Sequence, residues 1–172
     1  LVPGVIAKLA ALATFGLASF TDWLDGWLAR RSRQTSALGA LLDPIADKVL
    51  VLVTFLAFVQ LRLVPAWMVL VILLRELIIT GVRLFVASRQ MVLAAAREGK
   101  HKMVSQLTTI LLILVVLVVR EASGPGGLDA NVDAVLNGAV IAAMWITVIL
   151  TVVSGAQFFW RHQAVLRDAL GR

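Results

Sequence analysis

Residues 103–119 read MVSQLTTILLILVVLVV, an uncharged and almost wholly apolar run. A helix of about 20 mostly apolar residues, with roughly 17–25 observed, spans the hydrocarbon core of a bilayer. Four further segments have the same character, at 5–27, 38–60, 64–86 and 135–160. Lipid offers a bare backbone no hydrogen-bond partners, so the runs are read as helices, and the alternation of barrel strands is not visible. The expected architecture is an all-α integral membrane protein, a transmembrane helix bundle forming one domain over residues 1–172.

Composition agrees. The 172 residues are 60% hydrophobic and 15% charged, with mean hydropathy +0.95, against roughly 45–50% and 25% in a soluble domain. A soluble globular enzyme is excluded on those terms. The absence of Cys removes disulfides, thiolate metal sites and cysteine nucleophiles, and His101 and His162 are too few for a histidine cage. Any metal must therefore sit on oxygen. The net charge of +6 does not point to nucleic acid, because the basic residues fall between apolar runs rather than along one face. Anionic lipid head groups fit that pattern better.

The Lys and Arg residues sort by side. Arg30, Arg31, Arg33, Arg89, Arg97, Lys100, Lys102, Arg161, Arg167 and Arg172 fall on one side; Lys8, Arg62 and Arg120 fall on the other; Lys48, Arg75 and Arg83 lie inside runs. The positive-inside bias makes the richer side cytoplasmic and puts Leu1 outside. The stretch 121–133, EASGPGGLDANVD, is expected as an external connection carrying acids and a Gly-Pro-Gly-Gly breaker. Residues 5–20 lack the basic start and the cleavage site of a signal peptide.

Four of the ten acidic residues, Asp22, Asp25, Asp43 and Asp47, gather at the cytoplasmic ends of the first two runs. Residues three or four apart share a helix face, so Asp22 pairs with Asp25, and Gly39, Asp43 and Asp47 form one stripe. Carboxylates inside a membrane helix cost about 2.5–3.5 kcal/mol each, and four together repel unless a cation joins them. An all-carboxylate set favours Mg²⁺, Mn²⁺ or Ca²⁺, and a pair of ions suits phosphate chemistry. Gly26 and Gly39 leave room beside the acids, and Arg30 offers a fork for a phosphate. The plainer alternatives are that Asp25-Gly26 is a turn and that Asp43-Pro44 is a helix cap.

Residues 22–47 read DWLDGWLARRSRQTSALGALLDPIAD, or D-x2-D-G-x2-A-R-x8-G-x3-D-x3-D. This resembles the signature of the CDP-alcohol phosphotransferase family at Asp22, Asp25, Gly26, Ala29, Arg30, Gly39, Asp43 and Asp47. Within the family, LLDPIADKVLV at 41–51, LLREL at 73–77 followed by Arg83, and GKHKMVSQ at 99–106 look most like the bacterial phosphatidylglycerophosphate synthases. The resemblance implies six spans with both ends cytoplasmic, a homodimer, and a multi-pass place in the bacterial cytoplasmic membrane with the active site facing the cytoplasm. Five visible spans and an external Leu1 fit a chain lacking the family's first span.

The resemblance also implies a reaction, the transfer of a phosphatidyl group from CDP-diacylglycerol to an alcohol with release of CMP. On that basis two divalent cations, Mg²⁺ or Mn²⁺, are held by Asp22, Asp25, Asp43 and Asp47, and Asp47 also accepts the proton of the attacking hydroxyl. Gly26, Ala29, Arg30 and Gly39 face CDP-diacylglycerol. If the acceptor is glycerol 3-phosphate, its phosphate needs cations, for which Arg83, Arg75, Lys100, Lys102 and Lys48 are the candidates. Lys48 follows Asp47 and so leaves the acidic stripe; Arg75 beside Glu76 is equally read as an internal ion pair; Lys100 and Lys102 are expected in a basic loop. The five Trp residues read mostly as interfacial anchors, and the Ser and Thr of the runs as helix-packing groups. Inositol phosphate or phosphatidylglycerol is the alternative acceptor, and a divalent-cation transporter the distant alternative.

Overall fold

The computed structural model describes the backbone of residues 4–32, 37–89 and 99–169, and the side chains of these apart from 22–32, 37–47, 99–100, 125 and 169. Five long helices account for most of it: α1 (Val5–Ser32), α2 (Ala37–Gln60), α3 (Ala66–Ser88), α4 (Gly99–Ala122) and α5 (Ala130–Arg161). A short α6 (Gln163–Ala169) follows, and no strand occurs among the described residues. Two helical stretches, His101–Ala122 and Ala130–Arg161, are long and apolar enough to cross a membrane, while Val5–Thr21 and Lys48–Gln60 are shorter apolar stretches. Arg75, Glu76 and Arg83 interrupt α3.

Several boundaries differ from the sequence reading. The third helix starts at Ala66 because Pro65, with no N–H to give, takes the N-cap position in an extended conformation. The fourth starts at Gly99, which draws Lys100 and Lys102 out of the expected loop and into a helix. The connection expected at 121–133 shrinks, since α4 runs to Ala122 and α5 begins at Ala130. Gly124–Gly126 forms a single 3-10 turn, and the Asp129 side chain caps α5 by accepting from the Asn131 N–H at 2.8 Å.

The turn between α2 and α3 is closed by a pair of backbone bonds, Arg62 N–H to the Val59 carbonyl and Leu63 N–H to the Phe58 carbonyl, each 2.9 Å. That pairing requires a left-handed residue after the helix, and Arg62 supplies it at φ 57° where glycine is usual.

α4 is the central helix, packed against α1, α2 and α5, while α3 packs on α2 and α5. Its buried residues Lys102, Gln106, Thr109, Ile113 and Val116 recur at the four-three spacing of one helix face. Phe15 of α1, Phe55 and Phe58 of α2, Met68 and Ile72 of α3, and Met144 and Val148 of α5 close around this helix as one apolar core. Thr109 and Thr147, both fully buried, meet at 2.9 Å across α4 and α5.

At one end, Lys8 of α1 pairs with Glu121 of α4, and Arg120 reaches Asp133 at 2.8 Å and Asn137 at 2.7 Å on α5. Trp67 and Trp145 stack edge to face at 5.4 Å, although Trp145 sits halfway along α5 and not at a helix end.

A double-mutant cycle on Thr109→Val and Thr147→Val should give a coupling of about 0.6–1.7 kcal/mol. Reversible unfolding in mixed micelles measures it, and additive losses would show that the two hydroxyls do not act as a pair.

Candidate active site

The eight signature residues fall on two consecutive helices. Asp22, Asp25, Gly26, Ala29 and Arg30 lie in the second half of α1, and Gly39, Asp43 and Asp47 in the first half of α2. Both plainer alternatives fail on backbone grounds. α1 continues unbroken to Ser32, so Asp25-Gly26 is not a turn, and α2 has already begun at Ala37, so Asp43-Pro44 does not start a helix. The side chains of these eight lie outside the described residues, and among the described residues no cluster of three or more His, Asp or Glu forms. The donor chemistry fits divalent cations: two helices supply only carboxylate oxygens, which suit hard ions.

The basic candidates are described in detail. Glu76 is only 7% exposed and accepts from Arg75 Nη1 at 3.0 Å and from Lys102 Nζ. Arg75 Nη2 donates to Ser154 Oγ of α5 at 3.2 Å, while its Nε–H is buried with no partner. Lys48 Nζ donates to Thr80 Oγ1 of α3 at 2.7 Å, and the Arg83 guanidinium lies over the Phe158 ring, 5.6 Å from its centroid. The charges of Lys48, Arg75 and Arg83 act on one another, as do those of Lys102, Arg75 and Lys48. Four of the five basic candidates therefore lie near one another, with Lys102 buried, Lys48 and Arg75 partly buried and Arg83 exposed, and the Lys100 side chain lies outside the described residues.

The region shared with known proteins covers both sets of residues. A family model for CDP-alcohol phosphatidyltransferase matches residues 5–154. The chain belongs to the CDP-alcohol phosphatidyltransferase family. It is accordingly a transferase enzyme. Among curated proteins it is similar to the CDP-diacylglycerol–glycerol-3-phosphate 3-phosphatidyltransferase of Bacillus subtilis, 36% identical over 164 residues, covering 95% of this chain and 79% of that one. The protein of the same name from Sodalis glossinidius is 35% identical, covering 91% and 81%, and that from Haemophilus influenzae 32%, covering 90% and 77%.

In this phosphatidyltransferase one of the basic residues departs from the sequence reading, and two follow it. Lys102 is a buried helical residue, 7% exposed, because its ammonium has Glu76 to bond. Lys48 leaves the acidic stripe, as expected, and faces α3. Arg75 and Glu76 do form the expected ion pair, and the same arginine also reaches the neighbouring helix. Sequence reasoning passed over Gln106, 4% exposed with its amide nitrogen unpartnered, as well as Gly155 and Phe158, and took Ser154 only as a helix-packing group. Their signal was periodic: Thr147, Thr151, Ser154 and Phe158 recur at four-three-four spacing and all are buried. A groove of about 510 Å³ between α4 and α5, lined by His101, Ser105, Thr108 and Ile146 among others, contains none of the candidate residues.

Removing one partner of a buried ion pair strands the other charge, at a cost of about 3–5 kcal/mol. Glu76→Gln should therefore destabilise the protein on that scale, and Glu76→Gln combined with Lys102→Met should recover part of the loss. Thermal unfolding in detergent reads both, and equal losses in the single and double variants would show that Lys102 does not depend on the carboxylate.

Proposed function

We propose that the protein transfers a phosphatidyl group from CDP-diacylglycerol to glycerol 3-phosphate, giving phosphatidylglycerol phosphate and CMP. The reading takes residues 1–172 as one membrane-embedded domain of a homodimer in the bacterial cytoplasmic membrane, with its acidic helix ends facing the cytoplasm. The observation that carries it is the gathering of Lys48, Arg75, Arg83 and Lys102 near one another, two of them on the Glu76 carboxylate, on helices that carry or adjoin the signature. Lys102 is buried, Lys48 and Arg75 are partly so, and among the described residues Glu76 is the one carboxylate bonded to this group; cations in such excess call for an anionic guest, and a phosphomonoester dianion meets that need. The names of the three relatives specify the same acceptor.

The division of labour follows from the residue types. Asp22, Asp25, Asp43 and Asp47 would hold two divalent cations, Mg²⁺ or Mn²⁺. When bound, such ions supply charge screening for the donor's pyrophosphate and for the departing CMP. Arg30 grips a phosphate oxygen pair from α1, and Gly26, Ala29 and Gly39 leave space for the cytidine. The acceptor's phosphate rests among Arg75, Arg83, Lys102 and Lys48, with Lys100 a further candidate, which turns its free hydroxyl toward the acidic helices. That oxygen forms a bond to the β-phosphorus, the bond from phosphorus to the CMP oxygen breaks, and the hydroxyl proton passes to Asp47. An alcohol is a poor nucleophile near neutral pH, so a carboxylate at hydrogen-bond distance lowers the barrier.

CMP release from CDP-diacylglycerol in vesicles, with Mg²⁺ or Mn²⁺ and one acceptor at a time, tests the reading. Glycerol 3-phosphate should support turnover well above inositol phosphate and phosphatidylglycerol; turnover with either of those instead would reassign the acceptor, and cation flux without CMP release would end the transferase reading. Asp47→Asn should cut kcat about 10²–10⁴-fold while leaving donor binding in place. Near-normal turnover in that variant would remove Asp47 as the base.

A further inference from the structure

Both α3 arginines of the basic cluster are held from the same side by one stretch of α5. The Ser154 hydroxyl donates to the Thr151 carbonyl at 3.0 Å, which fixes its proton and leaves its lone pairs to accept Arg75 Nη2 at 3.2 Å. One residue on, Gly155 is buried, and a Cβ built there would stand 3.4 Å from Arg75 Cγ and 3.9 Å from its Nε. The arginine stem therefore lies along the α5 backbone where any larger side chain would stand. One turn further, Phe158 is 3% exposed and carries the Arg83 guanidinium over its ring at 5.6 Å, inside the roughly 6 Å reach of a cation–π contact. The ring is itself braced, by His162 at 4.7 Å and by Phe159 edge to face at 5.6 Å.

These three contacts differ in kind and share one effect. A hydroxyl sets the end of Arg75, a missing side chain sets its stem, and an aromatic face sets Arg83. A long side chain carries several rotatable bonds, and the entropy of fixing it is lost either before binding or during it. A guanidinium already held in place binds a phosphate with less of that loss.

We propose that Ser154, Gly155 and Phe158 of α5 form a positioning platform that fixes Arg75 and Arg83 for the acceptor's phosphate, and so determine acceptor affinity without touching the acceptor. The inference rests on the reading that this basic cluster is the acceptor pocket. Gly155 and Phe158 carry no charge and no nucleophile, so their contribution would show in binding and not in the chemical step.

The test uses the full chain in lipid nanodiscs, with steady-state kinetics and calorimetric titration of glycerol 3-phosphate. Phe158→Leu keeps an apolar side chain and removes the π face, and should raise both the acceptor KM and its Kd about three- to tenfold, with kcat and the CDP-diacylglycerol KM within about twofold. Phe158→Trp, a better cation–π partner, should restore acceptor affinity to within about twofold of the parent. Gly155→Ala places a methyl just in contact with Arg75 and should be mild, whereas Gly155→Val should weaken acceptor binding as much as Phe158→Leu. Acceptor affinity unchanged in Phe158→Leu and Gly155→Val, or affinity for donor and acceptor falling together, overturns the platform. Arg83→Ala separates the two levels. If it weakens acceptor binding while the α5 variants do not, the platform alone fails; if it leaves acceptor binding intact, the pocket reading fails and the platform with it.

Discussion

A charge inside a helix bundle must be answered by another charge or by a hydrogen bond, because nothing else there can solvate it. Glu76 is the only buried carboxylate among the described residues, and it answers Arg75 from its own helix and Lys102 from α4. The arrangement locks three helices together, since Arg75 also reaches Ser154 on α5. Lys48 and Arg83 have no carboxylate among the described residues and rest on a hydroxyl and a ring instead. The positive excess is thus spread over neutral partners, each of which holds a cation without cancelling it. Partners of that kind leave the field of the cluster available to an incoming anion.

Much of this was legible in the sequence, and what was missed has a common cause. Apolar runs found all five long helices, and the fixed spacing from Asp22 to Asp47 found the family, because both are local patterns. The helix ends were read less well, and Lys102 shows why. A lysine beside an apolar run is normally left outside by its charge, so the sequence reading stopped the helix at Met103; a glutamate from α3 makes its burial tolerable, and that partner is 26 positions away. Asp133 was likewise assigned to a connection, although in α5 it bonds Arg120 from α4. In each case a residue polar enough to end a helix is kept in one by an opposite charge from another helix. The short α6 carries no apolar run long enough to have been noticed.

The α5 contacts were invisible for a different reason. Ser154, Gly155 and Phe158 have no chemistry of their own that a motif would announce, and only their shared face, with Thr147 and Thr151, marks them. A periodic small and polar stripe in a membrane helix is ordinarily a packing surface. What changes its meaning is α3 opposite Ser154, Gly155 and Phe158, where the side chains packed against them are arginines instead of leucines.

α2 is the element in which the two chemistries meet. Its first half carries Asp43 and Asp47 and the next residue is Lys48, whose ammonium is fixed to α3 through Thr80. Adjacent helical residues point about 100° apart, so one backbone step turns from the acidic stripe to the face packed on α3. In the proposed reaction these two faces hold the base and the acceptor's phosphate, and their separation is set by covalent geometry. A small acceptor carrying a phosphate at one end and a hydroxyl at the other is then measured against a rigid rule, the width of a single helix. An acceptor whose hydroxyl lies much further from its phosphate would satisfy one face at the expense of the other, which makes the spacing of α2 a physical basis for selecting a short phosphorylated alcohol.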